Sequence, residues 1–449
     1  MANRDQFCDG VGRRDLLRLG TASLFGMGLT LPGLLQTQAL AGAVAGGGGR
    51  PARDVSLIFV FLHGGLSTID SWDMKPEAPA EFRGAFKPIA TNVPGVSIGE
   101  HMPRLAGQMD KVSLIRSFRH GNSSHGHADH YMLTGYHPTA AFNPGLKPNN
   151  ERPAHGAIVA KKLGPRGSVP PYVCLPKMHP STGSAYLGAA AAPFVIDADP
   201  NAPDFSVPDV VPPPSLELAR LDSRRALLNR VDRFQRAAEA DANRDARSVN
   251  AFRAKAFDLM TSSSAKAAFD IHAEPDALRD EYGRNSLGQG CLMARRLVEA
   301  GVRCVTIDHS NWDTHADNFG TLKDSLLPAL DAAMATLFRD LADRGLLDQT
   351  LVVVSGEFGR TPRINKDAGR DHWGPAFTVA LGGGGVKGGV VVGRTDARAE
   401  KPAEDPHGPE DLAATMHRCL GIDPDDEFRT PEGRPVKIVN NGHVIRGLF

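Results

Sequence analysis

Apolar residues in this chain come in short, unbroken runs that stop at glycine, acid or imidazole. Residues 55–62 (VSLIFVFL) form one such run and end at His63-Gly64-Gly65. Residues 351–354 (LVVV) form another, broken at Ser355-Gly356 and followed at once by Glu357. Residues 302–307 (VRCVTI) lead into DHSNWDTHADN, residues 111–116 (KVSLIR) into a histidine-rich stretch, and residues 170–177, 376–381 and 389–392 add shorter runs. Runs that are continuous rather than alternating predict strands buried on both faces, as in a parallel sheet. Between two of them, residues 320–342 place Leu326, Leu327, Leu330, Ala333, Met334 and Leu337 on one helical face and stop at Gly345. That strand–helix–strand order predicts a crossover in a parallel sheet. Further helices are predicted over residues 215–260, 287–300 and 409–420, the last with Pro409 in its first turn, while residues 178–213 lack periodicity and predict a surface wrap. The expected fold is therefore α/β: a mostly parallel central sheet flanked by helices, with a helical insert over residues 213–300.

The first residues have a different pattern. Arg13-Arg14-Asp15-Leu16-Leu17, a mildly apolar stretch to Leu35 and small residues at 39–41 predict a twin-arginine export signal over residues 1–41. Gly20, Gly26, Gly28, Pro32 and Gly33 argue against a stable spanning helix there, and nothing later is long and apolar enough to span a bilayer. A Gly-rich linker over residues 42–53 and one domain over residues 54–449 complete the division. The expected partner is the twin-arginine export machinery, and the expected location the periplasm or cell surface.

Composition narrows the function. Lys plus Arg and Asp plus Glu are balanced at 51 each, with no long basic run, which argues against a nucleic-acid partner. The cysteines, at 8, 174, 291, 304 and 419, show no C-x-x-C spacing, so a thiolate zinc site is not expected. One or two disulfides are open to an exported chain, although Cys304 in its apolar run also fits a core position.

The chemistry gathers where strands are predicted to end, which is where open α/β sheets bind ligands. Carboxylates and imidazoles from several such edges suit one or two divalent cations: zinc, manganese, magnesium or calcium. The expected ligands are Asp313, His315, Glu357 and His372, with Asp70 in addition. Residues 120–137 hold five histidines, of which one or two are expected to act as ligands or contacts; spacings of two and three on one helix cannot all face one ion. Arg360 and Arg363 could clamp an anion or pair with Glu357 and Asp367.

These motifs carry a resemblance. The segment RGLLDQTLVVVSGEFG and residues 131–138 (YMLTGYHP) resemble stretches of sulfatases. The set GG-x-S-x-x-D, WDTH, GEFGRTPRIN and GRDHW more closely resembles a secreted bacterial family of unknown function, number 1501, placed in the alkaline-phosphatase-like superfamily. The resemblance implies an exported metal-dependent hydrolase of phosphate or sulfate esters, acting on a small-molecule or polysaccharide anionic ester. It puts His125 where sulfatases carry the cysteine that becomes formylglycine, so that chemistry is not expected. Ser67, His125 and Arg360 are then the catalytic candidates, and His127, Arg363 and Asp371 the substrate-binding ones. The alternative is a non-catalytic binding protein for anionic glycans on the same fold.

Overall fold

Seven of the eight strands in the central sheet run the same way. The structure, a computed structural model, describes residues 54–208 and 262–449. Its strands are β1 (Ser56–Leu62), β2 (Ser113–Phe118), β3 (Tyr172–Leu175), β4 (Phe194–Val195), β5 (Cys304–His309), β6 (Thr350–Ser355), β7 (Phe377–Gly382) and β8 (Val391–Val392). Their order is β8-β2-β7-β6-β1-β5-β3-β4, and only β7 is antiparallel to its neighbours. The α/β expectation holds.

β1 sits at the centre, and its apolar run follows from burial on both faces. Ile58, Val60 and Leu62 pack into one core with helices α3 (Ser286–Glu299) and α4 (Leu327–Asp343). Leu57, Phe59 and Phe61 pack on the other side, where α1 (His125–Thr134), α2 (His155–Leu163) and α5 (Pro409–Cys419) lie. Alternation of side chains along a strand thus feeds two cores, each buried methylene contributing ~0.8 kcal/mol. The crossover helix α4 joins β5 to β6, which flank β1 on opposite sides. In parallel register Leu62 stands beside His309 and Phe61 beside Ser355, so three strands end together at one edge.

Three details depart from expectation. The helix read over residues 320–342 begins as a short turn at Asn318–Thr321 and widens over Leu322–Leu326 before α4 proper, because Pro328 has no N–H to continue the regular ladder. Residues 287–300, read as part of a capping insert, instead form α3, which packs on the sheet; Leu287, Cys291, Leu292 and Leu297 are fully buried. Residues 213–261 of the expected insert lie outside the described residues, as do residues 1–53, where the export signal and linker were expected. Cys174, Cys291, Cys304 and Cys419 are all free and buried, so no disulfide forms among them. Among the described residues no helix is long and apolar enough to cross a membrane.

Candidate metal centre

The common edge of β1, β5 and β6 receives four connections that carry the site. The loop after β5 bears Asp313 and His315, the chain after β6 bears Glu357 and Arg360, and a two-residue strand, His372–Trp373, pairs back on Gly359–Arg360. From the other side α1 begins at His125, with Ser124 as an N-cap whose side chain makes no capping bond.

Asp313 is the hub. Its Oδ1 lies 3.0 Å from His315 Nε2 and 3.1 Å from His372 Nε2, and those two nitrogens are 2.9 Å apart. The other face of each ring is already committed. His372 Nδ1 donates to the carbonyl of Ser123 at 3.0 Å, and His315 Nδ1 donates to Asp371 Oδ1 at 2.7 Å. In the neutral tautomers fixed this way both Nε2 atoms present lone pairs, so two imidazole nitrogens and a carboxylate oxygen face one another with no proton between them. Metal-bound histidines typically give their second N–H to a carboxylate or carbonyl, as both do here. The donor set of two nitrogens and one oxygen fits a divalent cation such as zinc.

Around this set the electrostatics are firm. Arg360 is buried; it donates to Asp313 Oδ1 at 2.5 Å and to the carbonyls of Gly64, Gly65, Trp312 and Arg370. Burial works against ionisation of Asp313, but the hydrogen bond and charge of Arg360 outweigh it and hold that carboxyl well below the usual range. Glu357 is fully buried, and the Gly64 N–H donates to both its oxygens, at 2.9 and 3.0 Å. His125 spans the two acids, Nδ1 at 2.5 Å from Glu357 Oε1 and Nε2 at 3.1 Å from Asp313 Oδ2. Desolvation opposes its protonation; Glu357 and Asp313 prevail and raise it to about 9. His125 is therefore an imidazolium at neutral pH. His372 shifts down through burial and stays neutral. Phe358 fills the space between, its ring stacked on His372 with centroids 4.5 Å apart.

Seven sequence candidates are thus brought together: His125, Asp313, His315, Glu357, Arg360, Asp371 and His372. Asp371, expected to touch substrate, is exposed and accepts from His315 Nδ1 at 2.7 Å, which orients that ring. Asp70, expected as a ligand, is instead closed in a fully buried ion pair, accepting from Arg370 Nε at 2.7 Å and Nη2 at 2.9 Å, and from Asn318. Ser67, expected as a nucleophile, is buried and spends its hydroxyl on Asp70 at 2.6 Å. His127 turns toward Phe142, ring centroids 5.1 Å apart, away from the acids. Arg363 is exposed on the loop beyond Arg360.

The sequence leaves His179 unmarked, includes His120 only as one of the five histidines of residues 120–137, and gives His63, Asp129 and Asp308 no role of their own. His120 Nδ1 accepts from the Asn122 N–H, and its Nε2 holds the Glu357 carbonyl at 2.6 Å. His63 and His179 are each the first imidazole after a strand end, β1 and β3. That position was the available signal.

Comparison with known proteins adds a family and a set of distant folds. A family model described as "Protein of unknown function (DUF1501)" matches residues 54–449. No curated protein sequence matches the chain. Among solved structures, a lipoteichoic acid synthase from Listeria monocytogenes is similar at 13% identity and a TM-score of 0.36, over 84% of this chain and 74% of that one. A sulfatase from Pseudoalteromonas sp. is similar at 12% identity and 0.35, over 86% and 70%. A phosphonate monoester hydrolase from Silicibacter pomeroyi is similar at 13% identity and 0.35, over 88% and 76%.

Proposed function

The chain belongs to the DUF1501 family of proteins of unknown function, and we propose that it is an exported, metal-dependent hydrolase of phosphate or sulfate esters. One observation carries the reading: Asp313, His315 and His372 converge three acceptor atoms within 3.1 Å of one another, with the tautomers of both rings fixed from behind. Arg360 meets only the carboxylate oxygen of the three, and a cation between them would satisfy the two imidazole lone pairs as well.

Asp313, His315 and His372 hold the ion in this reading, with Glu357 and His125 beside it. A divalent cation there supplies Lewis acidity toward an ester oxygen and an attacking water. The chain's own groups do the rest. The uncapped N–H groups at the start of α1 and the His125 imidazolium place positive charge where an anionic ester would dock. His125 is partly exposed and protonated, so it can give its Nε2 proton to the leaving alkoxide as the bond from phosphorus or sulfur to oxygen breaks. Water provides the new oxygen, because Ser67 is closed off by Asp70, and the proton that water loses on attack passes to solvent. Arg360 keeps Asp313 ionised and aimed. The setting we propose, the periplasm or cell surface reached by twin-arginine export, is supported by the Arg13-Arg14 pattern alone.

The test is turnover of aryl phosphates and aryl sulfates by the purified protein with added Zn²⁺ or Mn²⁺. Asp313→Asn is expected to lower kcat/KM by about a thousandfold or more, the scale of losing a principal electrostatic group. Equal turnover in the variant would remove this centre. Tight binding of sulfated or phosphorylated glycans without turnover would replace hydrolysis with the binding role.

A further inference from the structure

The turn that joins β2 to α1 has no regular structure of its own. Residues 119–124 form neither helix nor strand, and Gly121, Ser123 and Ser124 are exposed. Yet this turn supplies the Ser123 carbonyl that receives His372 Nδ1, and it ends at His125, which spans Glu357 and Asp313. A main-chain carbonyl is only as well placed as its backbone, so the turn needs an anchor.

His120 provides it from the buried side. Its ring packs against Phe377 and Tyr131, with centroids 5.3 and 5.6 Å away. Nδ1 accepts the Asn122 N–H at 3.1 Å, the bond to the residue two positions on that an Asn or Asp side chain makes in an Asx turn. Nε2 then carries the ring proton and donates it to the Glu357 carbonyl at 2.6 Å. Burial holds the pKa of His120 down at about 4, so the ring stays neutral and its tautomer fixed.

The main chain is tied at the same point. The His120 N–H donates to the Gly374 carbonyl at 2.9 Å, and the Gly374 N–H donates to Ser123 Oγ at 3.2 Å. Gly374 directly follows Trp373, and a Cβ on it would come within 2.2 Å of the Asn122 carbonyl oxygen and 2.8 Å of that of His120. Three segments thus meet at one residue: the turn, the strand bearing His372 and the chain after β6 bearing Glu357.

We propose that His120 is a positioning residue for this centre: by holding the Asn122 N–H it sets the Ser123 carbonyl, and through that carbonyl the tautomer that leaves His372 Nε2 free for an ion. The proposal rests on the reading of Asp313, His315 and His372 as a metal centre, and it assigns the state of one ligand to a group that touches neither ion nor substrate. The second arm of the ring has a different use. Glu357 is already held at its carboxylate by Gly64 and His125, so its carbonyl serves to fix the His120 imidazole rather than the acid.

Two substitutions separate the arms. His120→Asn keeps an acceptor where Nδ1 stands and loses the donor to Glu357; His120→Gln keeps a donor near Nε2 and loses the acceptor for Asn122. The full chain, carrying isotope-labelled histidine and stripped with chelator, reports the His372 tautomer through its ring-nitrogen shifts, identified by their loss in His372→Gln. Titration with Co²⁺ then reports affinity and, through visible absorption, the geometry of the ligands. Wild type and His120→Asn are expected to hold the His372 proton on Nδ1 and to give the same Co²⁺ spectrum. His120→Gln is expected to show a mixture of tautomers, a changed spectrum and Co²⁺ binding about 10-fold weaker, the low end of outer-shell effects because the influence is relayed. A merely structural role would lower the melting temperature of both variants and leave tautomer and spectrum alone, which overturns the proposal. A tautomer disturbed in His120→Asn and kept in His120→Gln overturns it equally. Wild type that binds no Co²⁺ overturns the metal centre instead, and the tautomer comparison still decides the role of His120.

Discussion

His315 and His372 show how much of this site is decided one hydrogen bond away from it. Each ring could present either nitrogen, and the choice is made by Asp371 and by the Ser123 carbonyl. Asp371 is itself exposed and is held down in pKa first by its bond to His315, so it is ionised whenever the site would work. Asp371→Asn is accordingly expected to leave the fold intact and weaken the ion at Asp313 by about 10- to 100-fold, measured by competition with a chromogenic chelator. Unchanged affinity would mean that Asp371 serves substrate instead, which is the role its place in GRDHW first suggested. Residue identities of this kind were legible because acids and imidazoles clustered at predicted strand ends. Their partners were not. Ser67 and Asp70 read as chemistry from spacing alone, and only the distant Arg370 and Asn318 reveal them as a closed structural pair.

At the scale of elements, α1 and the turn after β1 do the assembling. Ten residues of helix place His125 over Glu357 and Asp313 and, four positions on, Asp129 3.8 Å from His63, so one short element carries two of the groups at this edge. The turn works by absence of a side chain. Gly64 has φ +116°, and a Cβ there would come within 2.5 Å of the Asp313 backbone nitrogen and 2.8 Å of the Trp312 carbonyl carbon. Gly64→Ala is therefore expected to cost about 2 kcal/mol or more of stability and, by pushing the WDTH loop outward, to lower metal affinity with it. Chemical denaturation beside metal titration checks both; a stable variant with unchanged binding would show that the loop has slack. The strands themselves were readable, because a both-faces-buried strand leaves an unbroken apolar run. The antiparallel course of β7 was not, since residues 377–382 look the same in either direction, and α2 escaped notice in a segment where no long apolar periodicity marks it.

Across the whole molecule the two cores are not equally apolar, and that sets a pH dependence unconnected with the metal edge. In the core beneath α2 and α5, His155 and His417 are buried with ring centroids 5.5 Å apart. His155 gives one proton to the Met132 carbonyl at 3.1 Å, while neither nitrogen of His417 finds a partner among the described residues. Burial drives His155 down to about 4 against its bond to Met132, and drives His417 well below its ordinary value, further lowered by the charge of His155. Both pKa values are lower folded than unfolded, so the sign is fixed. Above the unfolded value of ~6.5 the pair has no effect; as pH falls toward 4 the unfolded chain binds protons that the folded chain refuses, and stability drains away. Each ring should cost about 2 kcal/mol by pH 5. Raised carboxyls at the opposite edge, Asp129 among them at about 7 through burial, take up protons over the same range and work the other way. A difference measurement isolates the core term. His417→Leu loses no hydrogen bond, and its denaturation midpoint should fall less steeply than wild type between pH 7 and pH 5, leaving the variant the more stable protein at the acid end. Parallel pH profiles would instead mean that His417 finds a partner, or water, once it is protonated.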